Sequence, residues 1–125
     1  MPHWGTQYTH VAEAVRRRVA RPLVSAGADL VVGGHPHWVQ GIDLVDGTPV
    51  AHSLGNFVFD MDFMTETQLG VLLETTFWRD RLVALDPVPY RMDGLFAPRV
   101  VGGPEAAGIL GDVWDNSRGP FSGTR

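Results

Sequence analysis

Apolar and polar positions follow two different periods along this chain. Between residues 8 and 26, Val11, Val15, Val19 and Leu23 recur at every fourth position. That is the spacing of one helical face, and it predicts an amphipathic helix with a single apolar stripe. Thr9 is placed to cap its start, and Gly27 to end it in the left-handed conformation. Pro22 removes one backbone bond inside the pattern and predicts a kink or a division into two pieces. The unbroken run Leu30-Val31-Val32 suits a strand buried on both faces. Ile42 to Val45 and Pro49 to Leu54 flank Asp46-Gly47, a strong hairpin signal. Leu69 to Trp78 and Leu82 to Leu85 form a second hairpin around Arg79-Asp80, with Pro87 and Pro89 confining the end of the second arm to a sheet edge. Pro104 to Leu110 suits a short helix with Pro104 in its first turn. The turn-rich stretch "DNSRGPFSGTR" is expected to fray. One helix, a buried strand and antiparallel hairpins predict an α/β or α+β layered domain over residues 1–112, followed by a frayed tail over 113–125.

Composition narrows the chemistry. The chain has 125 residues, 44% of them hydrophobic and 19% charged, as in a globular domain. A formal net charge of -4 gives no general attraction to nucleic acid or to anionic membrane. There is no cysteine, which removes disulfides and thiolate metal sites from consideration. No apolar run approaches the ~20 residues needed to span a bilayer. The opening "MPHWGTQYTH" has neither a basic start nor an apolar core and does not read as a secretory signal.

The candidate chemistry lies in "VVGGHPHWVQG", residues 31–41. In an extended chain, side chains two apart point the same way, placing His35 and His37 on one side with α-carbons roughly 6.5 Å apart. Pro36 stiffens the segment, and Gly33 and Gly34 let another group approach the backbone. Two imidazoles on a rigid loop at the carboxyl end of a strand suit metal binding, either at one shared ion or at two ions ~3.5–4 Å apart. The alternative is a surface turn that carries two solvated histidines. His3, followed by Trp4 and Gly5, is a third candidate ligand or an ordinary polar residue near a terminus. His52 reads as a satisfied sheet histidine, and His10 as a solvent-facing one. Trp38, beside His37, is placed to flank a pocket.

Three separated motifs, "HWGTQY", "GADLVVGGHPHWVQGI" and "HSLGNFVFD", occur in the order found in the CapA family of poly-γ-glutamate capsule synthesis proteins. The resemblance covers roughly residues 3 to 110. The family's domain resembles the calcineurin-like metallophosphoesterases, a β-sandwich flanked by helices. The resemblance implies a site for two divalent metal ions (Mn, Fe or Zn), with His3 and His35 on one and His37 on the other. Gly34, Trp38 and Asn56 would line it, and Asn56 alternatively serves a strand-ending turn. It implies a metal-dependent hydrolase acting on a phosphate-ester or polyglutamate-related substrate at the bacterial cell envelope. The family pattern begins well upstream of "HWG" and includes acidic and Asn ligands with no counterpart here. The chain is therefore expected to be the C-terminal portion of the domain, with an incomplete and impaired site. The rival expectation is a non-catalytic remnant, or a subunit that completes its fold with a separately encoded N-terminal half across an unpaired strand edge.

Other constellations carry less. Asp60 and Asp62 alternate and can face one side, but a solvated strand end accounts for them. Arg16, Arg17, Arg18 and Arg21 read as a solvated face opposite the valine stripe. No nucleophile elbow surrounds Ser53, and no phosphate-binding glycine loop is present.

Overall fold

Asp46 and Gly47 both take positive φ, 50° and 88°, the conformation that closes a two-residue hairpin between twisted strands. They join β2 (Ile42–Val45) to β3 (Thr48–Ala51), with Val45 opposite Thr48. β1 (Val31–Val32) pairs in parallel with β3, giving a three-stranded sheet of order β1-β3-β2. The computed structural model describes residues 1–123. A second three-stranded sheet, of order β4-β5-β6, is built from β4 (Leu69–Trp78), β5 (Arg81–Met92) and β6 (Pro98–Val100). Helix α1 (Val15–Ser25) packs on β1 and β2, and helix α2 (Gly103–Asp115) packs on β4 and β5. The fold class is α+β. Among the described residues no helix is long and apolar enough to cross a membrane.

Two apolar clusters hold these layers. The larger joins Val39, Ile42, Ala51, Val71, Ile109 and Val113, and so ties the first sheet to the second and to α2. The smaller joins Ala20, Val31, Val45 and Val50, with Trp4, Val24 and Ala28 packed against it.

The helical period is as the sequence predicts, but its phase and start are not. α1 begins at Val15, because residues 8–14 are drawn onto the histidine loop. Tyr8, at φ 58°, donates its amide to the Pro36 carbonyl at 2.9 Å. Thr9 Oγ1 accepts from the Val11 amide at 3.1 Å, a local turn rather than a cap on α1. The expected stripe then faces outward: Val11, Val15, Val19 and Leu23 are 59, 45, 51 and 39% exposed. The buried line is one residue later, at Arg16 and Ala20, with Val24 packed beside them. Ala20 allows close approach to the sheet. The polar positions are satisfied by β2 and its turn, since Arg17 Nε donates to Asp43 at 2.8 Å and Arg21 Nε to Asp46 at 3.0 Å. The arginines are therefore not a solvated face as a group. α1 is not broken at Pro22, which lies in the last turn: one amide donor is lost, and only three helical residues follow it. Gly27 ends it at φ 98°, as expected.

The second hairpin turns at Arg79, but β5 runs on through Pro87 and Pro89 as the central strand. β6 pairs only with Tyr90, Arg91 and Met92, so Pro87 still stands where that flank of β5 is open. The prolines remove donors without interrupting the strand. The tail does not fray at residue 113: α2 continues to Asp115, Val113 and Ser117 are buried, and Phe121 packs against the core. The end of that predicted tail, residues 124–125, lies outside the described residues. β1 is covered on one face only. Val31 is buried, whereas Val32 lines an apolar groove of about 370 Å³ together with Leu54, Phe57, Val71 and Tyr90.

Candidate histidine site

The site is assembled where the N-terminal segment crosses the loop after β1. His3 forms a parallel bridge with Gly34. Gly34 donates to the Pro2 carbonyl at 3.0 Å and accepts from the Trp4 amide at 2.9 Å. Trp4 anchors the crossing, because its Nε1 donates to the His52 carbonyl at 3.0 Å. Gly33 makes room for it: a Cβ there would lie 2.3 Å from Trp4 Nε1 and 2.4 Å from the His52 carbonyl oxygen. The third histidine is thus fixed by its neighbours even though it lies at residue 3.

The loop itself is bent, not extended. His35 and His37 both have positive φ, 102° and 64°, on either side of the buried Pro36. Such conformations cost free energy in residues with a Cβ and persist where the surroundings over-determine them. The three rings nevertheless converge. The His3 and His35 ring centroids are 4.4 Å apart, and those of His35 and His37 are 6.2 Å apart.

His37 is the most elaborately held. Its Nδ1 lies 2.7 Å from Asn56 Oδ1. Asn56 Nδ2 donates to the Thr67 carbonyl at 3.0 Å, which turns the amide oxygen toward the ring. His37 Nδ1 therefore carries the proton, and Nε2 keeps its lone pair for a ligand. Asn56 is 7% exposed and acts on the site through His37. The buried Tyr90 hydroxyl donates to the Asn56 carbonyl, and burial raises that phenol to about 12. Tyr8 stacks on His37 at 5.9 Å, and Phe59 lies against it at 5.7 Å. The His35 imidazole is held below its ordinary range by burial, then by the nearby His3, His37 and Arg16 charges. Both effects favour the neutral ring, the form that binds metals.

Other expected roles are redistributed. Trp38 packs against His10 with ring centroids 4.8 Å apart and the planes tilted at 40°. His10 is partly buried instead of solvent-facing, with its Nδ1 2.8 Å from the Val39 carbonyl. His52 is not the fully satisfied sheet histidine expected: it is buried just past the end of β3, its Nε2 lies 2.8 Å from Asp43 Oδ2, and its Nδ1 has no hydrogen-bond partner among the described residues. Burial pushes the Asp43 carboxyl up, but hydrogen bonds and charge from His52 and Arg17 outweigh it and hold it at about 2. Asp60 and Asp62 are exposed. Among the described residues, no group of three or more His, Cys, Asp or Glu side chains is arranged to hold a metal ion. The imidazoles converge without closing a cage.

Residues 1–61 match the family of bacterial capsule synthesis proteins, PGA_cap. Over 72 residues the chain is 42% identical to the PGA biosynthesis protein CapA of Bacillus subtilis (strain 168), covering 58% of this chain and 19% of that protein. Over 87 residues it is 37% identical to the capsule biosynthesis protein CapA of Bacillus anthracis, covering 70% of this chain and 21% of that protein. The chain belongs to the CapA family. It is also 27% identical over 97 residues to a probable polyglutamine synthesis accessory protein of Mycobacterium tuberculosis, covering 72% of this chain and 26% of that protein. The chain thus spans about a fifth of the length of the two CapA relatives.

All three histidines and Asn56 fall inside the region matched to the CapA family, whereas Tyr90 falls outside it. Sequence reasoning missed Tyr8, Phe59 and Tyr90. Tyr8 is visible only as part of "HWGTQY". Phe59 and Tyr90 carry no local signal, because their roles depend on loop and hairpin placement.

Proposed function

We propose that this chain serves capsule or poly-γ-glutamate synthesis, and that His3, His35 and His37 contribute to a divalent-metal hydrolytic site for a phosphate-ester or polyglutamate-related substrate. The names of the relatives support the first part. The observation that carries the second is the convergence of three imidazole rings, with His37 Nε2 left free by its bond to Asn56. On this reading His3 and His35, with ring centroids 4.4 Å apart, would share one ion, and His37, 6.2 Å from His35, would serve a second. The donor set is incomplete for a two-metal centre, since among the described residues no carboxylate joins the three imidazoles to offset the ions' charge. On this reading the remaining ligands would come from the part of the CapA relatives that this chain does not match. A bound ion would lower the pKa of a coordinated water toward neutrality. This chain's own residues present the lone pairs, and Asn56 fixes the proton of His37 on Nδ1.

Zinc titration followed by histidine ring resonances tests the assignment. The rings of His3, His35 and His37 are expected to shift together, weakly and saturably, while His10 and His52 stay put. Shifts distributed over all five histidines, or none at millimolar zinc, would remove the metal reading. In the completed domain, His35→Ala and His37→Ala should abolish phosphodiesterase activity; retention of activity would take those residues out of the site.

A second reading has its own observation. The Gly33 amide donates to Ala51 on β3 at 2.8 Å, whereas Gly34 bonds outward to residues 2 and 4. By the alternation of a parallel strand, the Val32 peptide groups also point outward. That edge is flanked by apolar grooves lined by Leu30, Val31, Val32 and Leu54. It suits a strand supplied by a separately made N-terminal half. Mixing the chain with the N-terminal half of the Bacillus subtilis relative should protect the Val32 amide from hydrogen exchange. Unchanged exchange would reject this reading.

A further inference from the structure

Arg16 is the least explained side chain in the fold. It is 2% exposed, and burial pulls its guanidinium below the ordinary arginine range, against an opposing pull from Glu13. Nη1 donates to Gln40 Oε1. Nε and Nη2 have no hydrogen-bond partner among the described residues. These two nitrogens form one edge of the guanidinium fork, the edge that presents two parallel N–H bonds to a carboxylate or a phosphoryl group. The nearest carboxylate, Glu13, stands off at 3.9 Å from Nε and is held by the Thr6 hydroxyl, which donates to its Oε1 at 2.6 Å. Buried donors left without acceptors are costly, more so when charged.

The location ties this edge to the histidines. The guanidinium lies against Gly5, two residues beyond His3, so closely that a Cβ there would sit 1.9 Å from Nη2. Gln40, three residues beyond His37, holds the other end of the fork and also donates to the Thr9 carbonyl at 2.7 Å. Arg16 is thus fixed between the two segments that carry the candidate ligands. The candidate ligands are imidazoles, and among the described residues no acidic side chain joins them in a metal-holding group. A site of imidazoles beside a guanidinium with a free bidentate edge fits an oxyanion.

We propose that Arg16 is the anion-recognition residue of the histidine site, taking two oxygens of a phosphoryl or carboxylate group on its Nε and Nη2 edge. The inference rests on the reading of the histidine cluster as a binding site, but not on the presence of a metal. Glu13, 46% exposed at its side chain, is the resident competitor, and its outward rotation would leave the edge to an incoming anion.

The test uses the full chain in EDTA, with the Arg16 Nε–H resonance followed during titration with inorganic phosphate and, separately, with pentaglutamate. A saturable shift with either anion is expected, and the tighter of the two identifies the source of the oxyanion. Removing the competitor in Glu13→Gln should tighten binding about threefold, and Arg16→Gln should weaken it about tenfold or more, as loss of charge-assisted bonds implies. An unmoved Arg16 resonance with both anions, or unchanged affinity in a folded Arg16→Gln, overturns the proposal. If circular dichroism shows that Arg16→Gln is unfolded, Glu13→Gln decides alone, and unchanged phosphate affinity in it is fatal. Because metal is absent throughout, failure here is separable from failure of the zinc titration.

Discussion

The two helices pack on their sheets by opposite means. α2 buries Ile109 and Val113 in the main apolar cluster, with Leu110 and Trp114 beside them. α1 turns Val15 and Val19 outward and buries Arg16 and Ala20, attaching its polar side to β2 through Arg17 and Asp43. An apolar repeat therefore specifies the period of a helix more firmly than the face it buries. The phase is decided by what the neighbouring sheet offers, and here β2 and its turn offer one carboxylate each, Asp43 and Asp46.

Substitutions on the two helices can break this contrast. Ile109→Ala should cost the most, about 3 kcal/mol, as a cavity in the larger cluster; equilibrium urea unfolding measures it. A cost below about 1 kcal/mol would mean that α2 is not held by its apolar face. Asp43→Asn should cost about 2 kcal/mol in the same measurement, because Arg17 and His52 both lose a charged partner. A neutral effect would show α1 to be attached by something other than its polar side.

Acid titration sharpens the same point. The Asp43 carboxyl is depressed in the folded state, to about 2 from an ordinary 3.8, so the unfolded chain takes up its proton first. Its contribution is fully present above about pH 4 and lost as pH falls through about 2, on the order of 1–2 kcal/mol after allowance for screening. Asp43→Asn should flatten that part of the stability profile, and an unchanged acid limb would reject the assignment. The smallest effect belongs to Val19→Lys. At 51% exposure it should change stability by less than about 0.5 kcal/mol, while a loss of several kcal/mol would mean that the valine stripe is covered in solution.

Much of the fold can be read from local chemistry. Asp46-Gly47 specifies its hairpin because few residue pairs accept two positive φ values, and Gly27 ends α1 for the same reason. The extent of β5 is not legible, since Pro87 and Pro89 argue against a strand unless the partial reach of β6 is known. At the site, His35 and His37 stand out by spacing. Their bent backbone does not, because nothing in His-Pro-His marks left-handed conformations at both histidines. Arg16 was hidden for a similar reason: as one of four clustered arginines it looks solvated, and only the folded path of Gly5 and Gln40 buries it.

The Tyr90 hydroxyl reaches the Asn56 carbonyl by passing over Gly70, where any Cβ would strike the phenol ring. Chimeras that splice this family's N-terminal motifs onto a foreign hairpin downstream of residue 61 therefore have to carry the Gly70–Tyr90 pair along. A donor hairpin with alanine at the first position, or phenylalanine at the second, would arrive with the orientation of His37 already compromised.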